Sequence, residues 1–260
     1  MKIVTWNVNS INVRLEHVKR YLRESAPDVL MLQEIKTENF PALEFENLGY
    51  KGRAVGQKAY NGVAILSKHE IAVIAERLPS DDADAQSRYI EAEINGLRLI
   101  NIYAPNGNPA PGDKYNYKLR WMKRLTAHLR EYVANDQTFV IGGDFNIIPE
   151  DKDCFDPKAW VDDALFRLES RQALRTLENM GLYDAFRVFD TRAHQYTFWD
   201  YQAGAWQKDN GIRIDHFLLS PAMADRLQSC VINRIPRGWE KASDHTPVEL
   251  TLNMNLNKND

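Results

Sequence analysis

Asp144 and Asn146 stand two residues apart, just after the apolar run Phe139-Val140-Ile141 and the pair Gly142-Gly143. In an extended strand, residues i and i+2 project to the same side. A carboxylate that accepts a proton or holds a water would therefore share a face with a carboxamide that donates to an anionic oxygen. That is half of a hydrolytic site. The same residues also suit an ordinary turn, with Asp and Asn side chains bonded to nearby backbone. The two glycines read as a sharp bend that carries the pair into a cleft. The rest of the chain has to decide between these readings.

Several other polar side chains fall at the ends of apolar runs. Residues 2–6 read as a strand that ends at Asn7, and a helical pattern from Asn12, with Leu15, Val18 and Leu22 inward, stops before Pro27. The buried strand at 29–32 delivers Gln33 and Glu34, and this β-α-β order makes Asn7 and Glu34 candidate neighbours. Asn61-Gly62 marks a turn before a strand at 63–66. The alternating run 88–94, the hairpin signal Asn95-Gly96 and the return strand 97–103 lead to Tyr103. A polar loop at 105–109 opens a helix over 114–133, with Met122, Leu125, Leu129 and Tyr132 inward and Lys114, Tyr115, Tyr117, Lys118 and Arg120 in its first turns. After a long connection, 149–161, come a helix at 168–180 capped by Gly181, an aromatic-rich segment at 196–201 and a strand at 212–219. Ser243-Asp244-His245-Thr246-Pro247 precedes the last strand, 248–252, and the polar tail from Asn253 is expected to fray.

Many short strands with hairpin signals, interleaved with only a few helices, do not suit a doubly wound parallel sheet. They predict a four-layer α/β sandwich: two mixed, mostly antiparallel sheets packed face to face with helices outside. No linker or internal repeat divides the 260 residues, so one domain is expected over 1–260. A net charge of −3 gives no global attraction to nucleic acid. A polyanionic substrate would need a local basic surface, or metal ions among clustered carboxylates. Cys154 and Cys230 do not make a disulfide framework. The first residues turn polar before any signal-peptide core, and no apolar run reaches the ~18 residues of a membrane span. A cytoplasmic protein with no membrane partner is expected.

Six motifs then resemble one family. Trp6-Asn7-Val8-Asn9, Gln33-Glu34, Tyr103-Ala104-Pro105-Asn106, Gly143-Asp144-Phe145-Asn146, Arg213-Ile214-Asp215 and Ser243-Asp244-His245 are similar to those of the exonuclease III family of abasic-site endonucleases. That family lies within the endonuclease/exonuclease/phosphatase superfamily. The motifs occur in family order across nearly the whole chain. The resemblance implies a Mg²⁺-dependent DNA repair nuclease, with Mn²⁺ expected to substitute. It would cut the phosphodiester 5′ to abasic sites and clear nucleotides or blocking groups from 3′ ends of duplex DNA, as a monomer. Chemistry agrees that a metal is needed: a general base alone contributes about 10²- to 10⁴-fold, against accelerations of roughly 10⁶-fold or more.

The roles carried over are these. Asn7, Glu34 and Asp244, with Asp144, Asn146 and His245, resemble the metal site. Asp144 would orient or deprotonate the attacking water, Asn146 would hold a phosphoryl oxygen, and His245 would be paired with Asp215 as an imidazolium. Tyr103 would contact a phosphate-side oxygen. Asn9, Arg88, Asn106, Lys114, Tyr115 and Lys118 resemble DNA-contacting residues. Phe198, Trp199, Ile212 and Ile214 resemble the apolar pocket for a base-free sugar, although the animal branch has tryptophan where Ile212 stands. The alternative is an RNA exonuclease or phosphomonoesterase of the same fold, sharing the hydrolytic core. A DNA-binding protein without catalysis would lack a site residue, and none is missing.

Overall fold

In chain order the elements are β1 (Lys2–Asn7), α1 (Ile11–Ser25), β2 (Val29–Gln33), α2 (Ala42–Glu46), β3 (Lys51–Val55), β4 (Val63–Ser67), β5 (Ala72–Ala75), β6 (Tyr89–Ile94) and β7 (Leu97–Tyr103). There follow α3 (Asp113–Ala134), β8 (Phe139–Asp144), α4 (Pro157–Trp160), α5 (Leu168–Asn179), β9 (Tyr183–Asp184) and α6 (Ala185–Phe189). The chain closes with β10 (Asp215–Leu219), α7 (Pro221–Ala224), β11 (Leu227–Ile232) and β12 (Val248–Leu252). The structure, a computed structural model, describes residues 1–254; the rest of the tail expected to fray lies outside the described residues.

Among the described residues the strands form two six-stranded sheets, in the orders β11-β12-β1-β2-β4-β3 and β5-β6-β7-β8-β10-β9. Alternation along each strand explains the layering. Ile3, Val29, Met31 and Ile65 of the first sheet meet Ile90, Leu99, Val140 and Phe217 of the second in a shared core. The outward faces are apolar too. Val4, Trp6, Leu30 and Leu32 lie under Val18, Tyr21 and Leu22 of α1. Ile100, Ile102, Phe139 and Ile141 lie under Trp121, Leu125 and Leu129 of α3 and Leu174 and Leu177 of α5. Helix, sheet, sheet and helix make the expected four layers. Among the described residues no helix is long and apolar enough to cross a membrane.

Three strand registers set up the site. Parallel β1 and β2 put Asn7 beside Gln33, parallel β7 and β8 put Tyr103 beside Asp144, and antiparallel β10 puts Asp215 opposite Asp144. Beneath them Gln33 joins the sheets. Its Nε2 donates to Thr5 Oγ1 at 2.9 Å and to Asn101 Oδ1 at 2.8 Å, and Asn101 Nδ2 donates to the carbonyls of Leu32 and Ala64.

Two local expectations are corrected. Gly142 and Gly143 do not bend the chain; both are paired within β8. They are small because neighbours press on them: a Cβ at Gly142 would lie 2.5 Å from the Phe217 ring, and one at Gly143 would lie 2.0 Å from the Ile102 carbonyl oxygen. The strand expected at 212–219 starts only at Asp215, because Ile212 bridges singly to both Cys154 and Phe198 before the ladder begins.

Candidate active site

The polar ends of these strands converge on a cleft of about 280 Å³, lined by Asn7, Glu34, Tyr103, Asn106, Asp144, Asn146, Asp244 and His245, with Phe198, Ile214, Trp160, Asp163, Asp200 and Leu165 at its sides. Glu34, directly after β2, and Asn146, two residues after β8, hold left-handed backbone at φ 52° and 50°. Non-glycine residues adopt that conformation uncommonly, asparagine more readily than glutamate.

Asp144 is buried at the centre. Its Oδ2 accepts from Asn7 Nδ2 at 3.0 Å and its Oδ1 accepts from the Asn146 backbone N–H at 2.8 Å. Burial, only partly offset by His245, pushes its carboxyl up to about 7. His245 Nδ1 lies 2.9 Å from Asp215 Oδ2, while its Nε2 faces Asp144 Oδ2 at 3.8 Å. Burial alone would lower the imidazole, but the charges of Asp215, Asp144 and Asp244 carry it up to about 10. At neutral pH the proton of this cluster therefore sits on His245. As an imidazolium His245 has no lone pair for a cation, so in that protonation state it acts as a donor.

Tyr103 donates its hydroxyl to Glu34 Oε1. Burial and the Glu34 and Asp144 charges hold the phenol well above its ordinary range, so it remains a donor. The Arg88 guanidinium lies 4.9 Å from the centre of the Tyr103 ring. Asn146 Nδ2 donates to the Ala104 carbonyl at 2.9 Å, leaving its second amide hydrogen free, and its Oδ1 accepts from Asn106 Nδ2 at 3.2 Å. Asp244 Oδ1 accepts from Asn9 Nδ2 at 3.1 Å.

The donors fit a hard divalent cation. Glu34, Asp144, Asp215 and Asp244, with the Asn7 amide, offer oxygens of the type Mg²⁺ takes. Asp215 Oδ1 is buried with no hydrogen-bond partner. Ligand atoms of Asp144, Asp215 and His245 lie within 4.8 Å of one another. Burial is the main reason the Asp144 carboxyl is raised, and a cation beside it would favour its charged form.

Three residues expected at the DNA face are buried away from the cleft. Lys118 is fully buried beneath the cleft, where its Nζ donates to the backbone carbonyls of Asn106 at 3.0 Å and Asn146 at 2.5 Å. Burial pulls its pKa down to about 7, against the opposing pull of Asp144 and Asp163. Tyr115 is buried against Glu169 and Ser170. Trp199 points away into a cluster with Tyr196 and Ala205, its Nε1 donating to Asp209 at 2.9 Å. Ile212 lines not the cleft but the cavity next to it. Phe198 does face the cleft, its ring 5.0 Å from that of His245. Lys114 is exposed at the start of α3. Residues that the motifs missed include Lys36, whose Nζ lies 3.4 Å from Glu34 Oε2 and donates to Asn9 Oδ1 at 2.6 Å. Its spacing of two from Glu34 was the available signal. Trp160, Asp163 and Leu165, from the connection before α5, carried none.

Two face-to-face mixed sheets, with acidic, amide and imidazolium groups gathered at their common edge, define a phosphodiester hydrolase. The sequence matches the Endonuclease/Exonuclease/phosphatase family over residues 4–245, and the chain belongs to that family. An exodeoxyribonuclease III of Haemophilus influenzae is 35% identical, with 95% of this chain and 98% of the relative covered. A 3′ phosphatase from Neisseria, solved with a product DNA hairpin, is 39% identical at a TM-score of 0.94, with 97% and 99% of the two chains covered. An AP endonuclease from Archaeoglobus fulgidus is 37% identical at 0.93, with the same coverage.

Proposed function

We infer that this chain is a DNA repair nuclease that hydrolyses the phosphodiester 5′ to abasic sites and clears the 3′ ends of duplex DNA. We propose Mg²⁺ as its cofactor, a monomer as its working state and one catalytic domain over the chain. The observation that carries the reading is the single cleft shared by Glu34, Asp144, Asn146 and His245, with Asp215 behind the imidazole. A divalent cation held by Glu34, with Asn7 and the neighbouring carboxylates, would neutralise charge on the phosphoryl oxygens.

The chain's own groups account for the remaining chemistry. Asp144, fixed by Asn7 and the Asn146 backbone, orients a water toward phosphorus, and its raised pKa makes it a better proton acceptor than a surface carboxylate. The His245 imidazolium and the free Asn146 amide hydrogen face the oxygens that gain charge in the transition state. Tyr103 stays protonated and serves as a donor on the Glu34 side. Phe198, Ile214 and Leu165 form an apolar wall suited to a sugar without its base. Arg88, Asn9, Asn106 and Lys114 are assigned to the flanking phosphates.

A duplex with one internal abasic analogue, a duplex with a recessed 3′ end and a duplex ending in a 3′ phosphate test the reading, each with Mg²⁺ withheld and restored. Incision and 3′-end release that depend on the cation are expected. No cleavage, or cleavage indifferent to EDTA, would defeat it. Preference for RNA or for phosphorylated small molecules in the same panel would favour the alternative.

A further inference from the structure

Beside the cleft lies a second cavity of about 370 Å³, walled by Phe155, Ala159, Trp160, Phe198, Ala203 and Ile212. Trp160, Asp163, Phe198 and Asp200 line both spaces, so the two adjoin at the Phe198 ring. On one side that ring packs edge-on against His245. The Phe198 backbone exchanges two hydrogen bonds of 3.0 Å with Ile212, which fixes the divider in place. The cavity falls within the size range of small-molecule sites, about 300–1,000 Å³. Its walls are mainly apolar and aromatic, and two carboxylates, Asp163 and Asp200, stand where it meets the cleft. Gln202, Lys208 and Asn210 also line the cavity, so beside its mainly apolar walls it offers both acceptors and donors. Such a lining suits a flat, neutral ring system whose exocyclic N–H groups need acceptors.

We propose that this annex receives the base of the 3′-terminal nucleotide while the phosphate of that nucleotide occupies the catalytic cleft. The inference rests on the nuclease reading above and adds a specificity element to it. A base-free sugar needs the cleft alone, whereas a nucleotide leaving a 3′ end must also place its base. A terminal base is cheaper to unstack than an internal one, and an aromatic wall returns the lost stacking. The annex thus separates the two reactions without any change in the hydrolytic groups.

Ala159→Trp and Ala203→Trp fill the annex from two different elements at exposed positions, and neither residue belongs to the catalytic machinery. Each variant is compared with the parent on a recessed 3′ end and on an internal abasic analogue. The expected result is a KM for nucleotide removal raised about 10-fold, the scale of one lost base–aromatic stack, with abasic incision changed by less than about 2-fold. As a readout independent of turnover, deoxyadenosine 5′-monophosphate should bind the parent more tightly than 2-deoxyribose 5-phosphate, and Ala159→Trp should erase the difference. Equal effects on both reactions, no effect on either, or equal binding of the two monophosphates by the parent would overturn the annex while leaving the nuclease reading intact. A parent that cleaves neither duplex would defeat the nuclease reading itself, and the annex with it.

Discussion

Asp215→Asn isolates the charge that holds His245 protonated. With its pKa raised to about 10, the imidazole stays protonated at pH 7.5. The substitution keeps the size of the side chain and a hydrogen-bond partner for Nδ1, but it removes the nearest opposing charge. Burial, the largest influence on this group, then draws the imidazole down toward neutrality or below. A neutral imidazole with its proton on Nδ1, toward residue 215, carries none on Nε2, so the cationic donor facing the phosphate is lost. Losing one preorganised donor of this kind costs about 10²- to 10³-fold in kcat. Single-turnover incision of an abasic duplex, followed from about pH 6 to 9, gives the diagnostic. The parent should show no falling limb from His245 inside that window, since about 10 lies above it. The variant should lose most activity at the alkaline end and recover some at the acid end, with KM nearly unchanged.

Stability should follow the same sign. Because the folded pKa of His245 lies above its ordinary 6.5, its contribution is complete below pH 6.5 and is lost as pH rises toward 10. The gap in melting temperature between parent and variant should therefore be widest near pH 6 and close toward pH 10. A variant of full activity, or one whose loss is the same at every pH, would refute the assignment of His245 as a charge held by Asp215.

Three further predictions concern other groups. Lys118→Met removes the donor that ties the Asn106 and Asn146 carbonyls together, so kcat should fall about 10- to 100-fold at nearly constant KM, while the melting temperature holds because a buried ammonium is costly; pre-steady-state incision beside thermal unfolding would check this. Glu34→Gln should raise the cation concentration needed for half-maximal cleavage by at least about 10-fold, read from a Mg²⁺ titration of the rate. Burial and Arg213 hold the buried His216 down at about 4, so the folded chain should lose stability as pH falls from 6.5 toward 4. The difference of 6.5 − 4 sets an upper bound of about 3 kcal/mol. Urea unfolding at the two ends of that range should show less acid loss for His216→Gln than for the parent.

Asn7, Glu34, Tyr103, Asp144 and the Ser243-Asp244-His245 run were legible because each closes or precedes an apolar strand, and strand ends collect at one edge of a sheet. Depth was not legible. Lys118 sits one turn into an amphipathic pattern that reads as a solvated face, but the 105–109 loop folds over that turn and takes its ammonium. Phe198 and Trp199 are adjacent, so an extended backbone sends only one of them to the cleft. The strands that went unseen explain themselves. β3 and β5 are partly exposed strands at the sheet edges, β9 has two residues, and β5 and β11 each carry a register shift that breaks the alternation. The glycines of β8 were visible, but their reason was tertiary: the Phe217 ring and the Ile102 carbonyl leave no room for a Cβ.

The Gln33–Asn101 tie also bears on where the enzyme is vulnerable. Asn7, Glu34 and Asp244 hang from one sheet, whereas Tyr103, Asp144 and Asp215 hang from the other, so the reaction takes place over a seam. A small slip between the layers would pull the halves out of alignment long before either layer melted. Damage to the distant interlayer packing around Met31 or Val140 should thus appear first as slow turnover in a protein that still looks folded. A bound phosphate gripping both halves would act as a clasp across the joint.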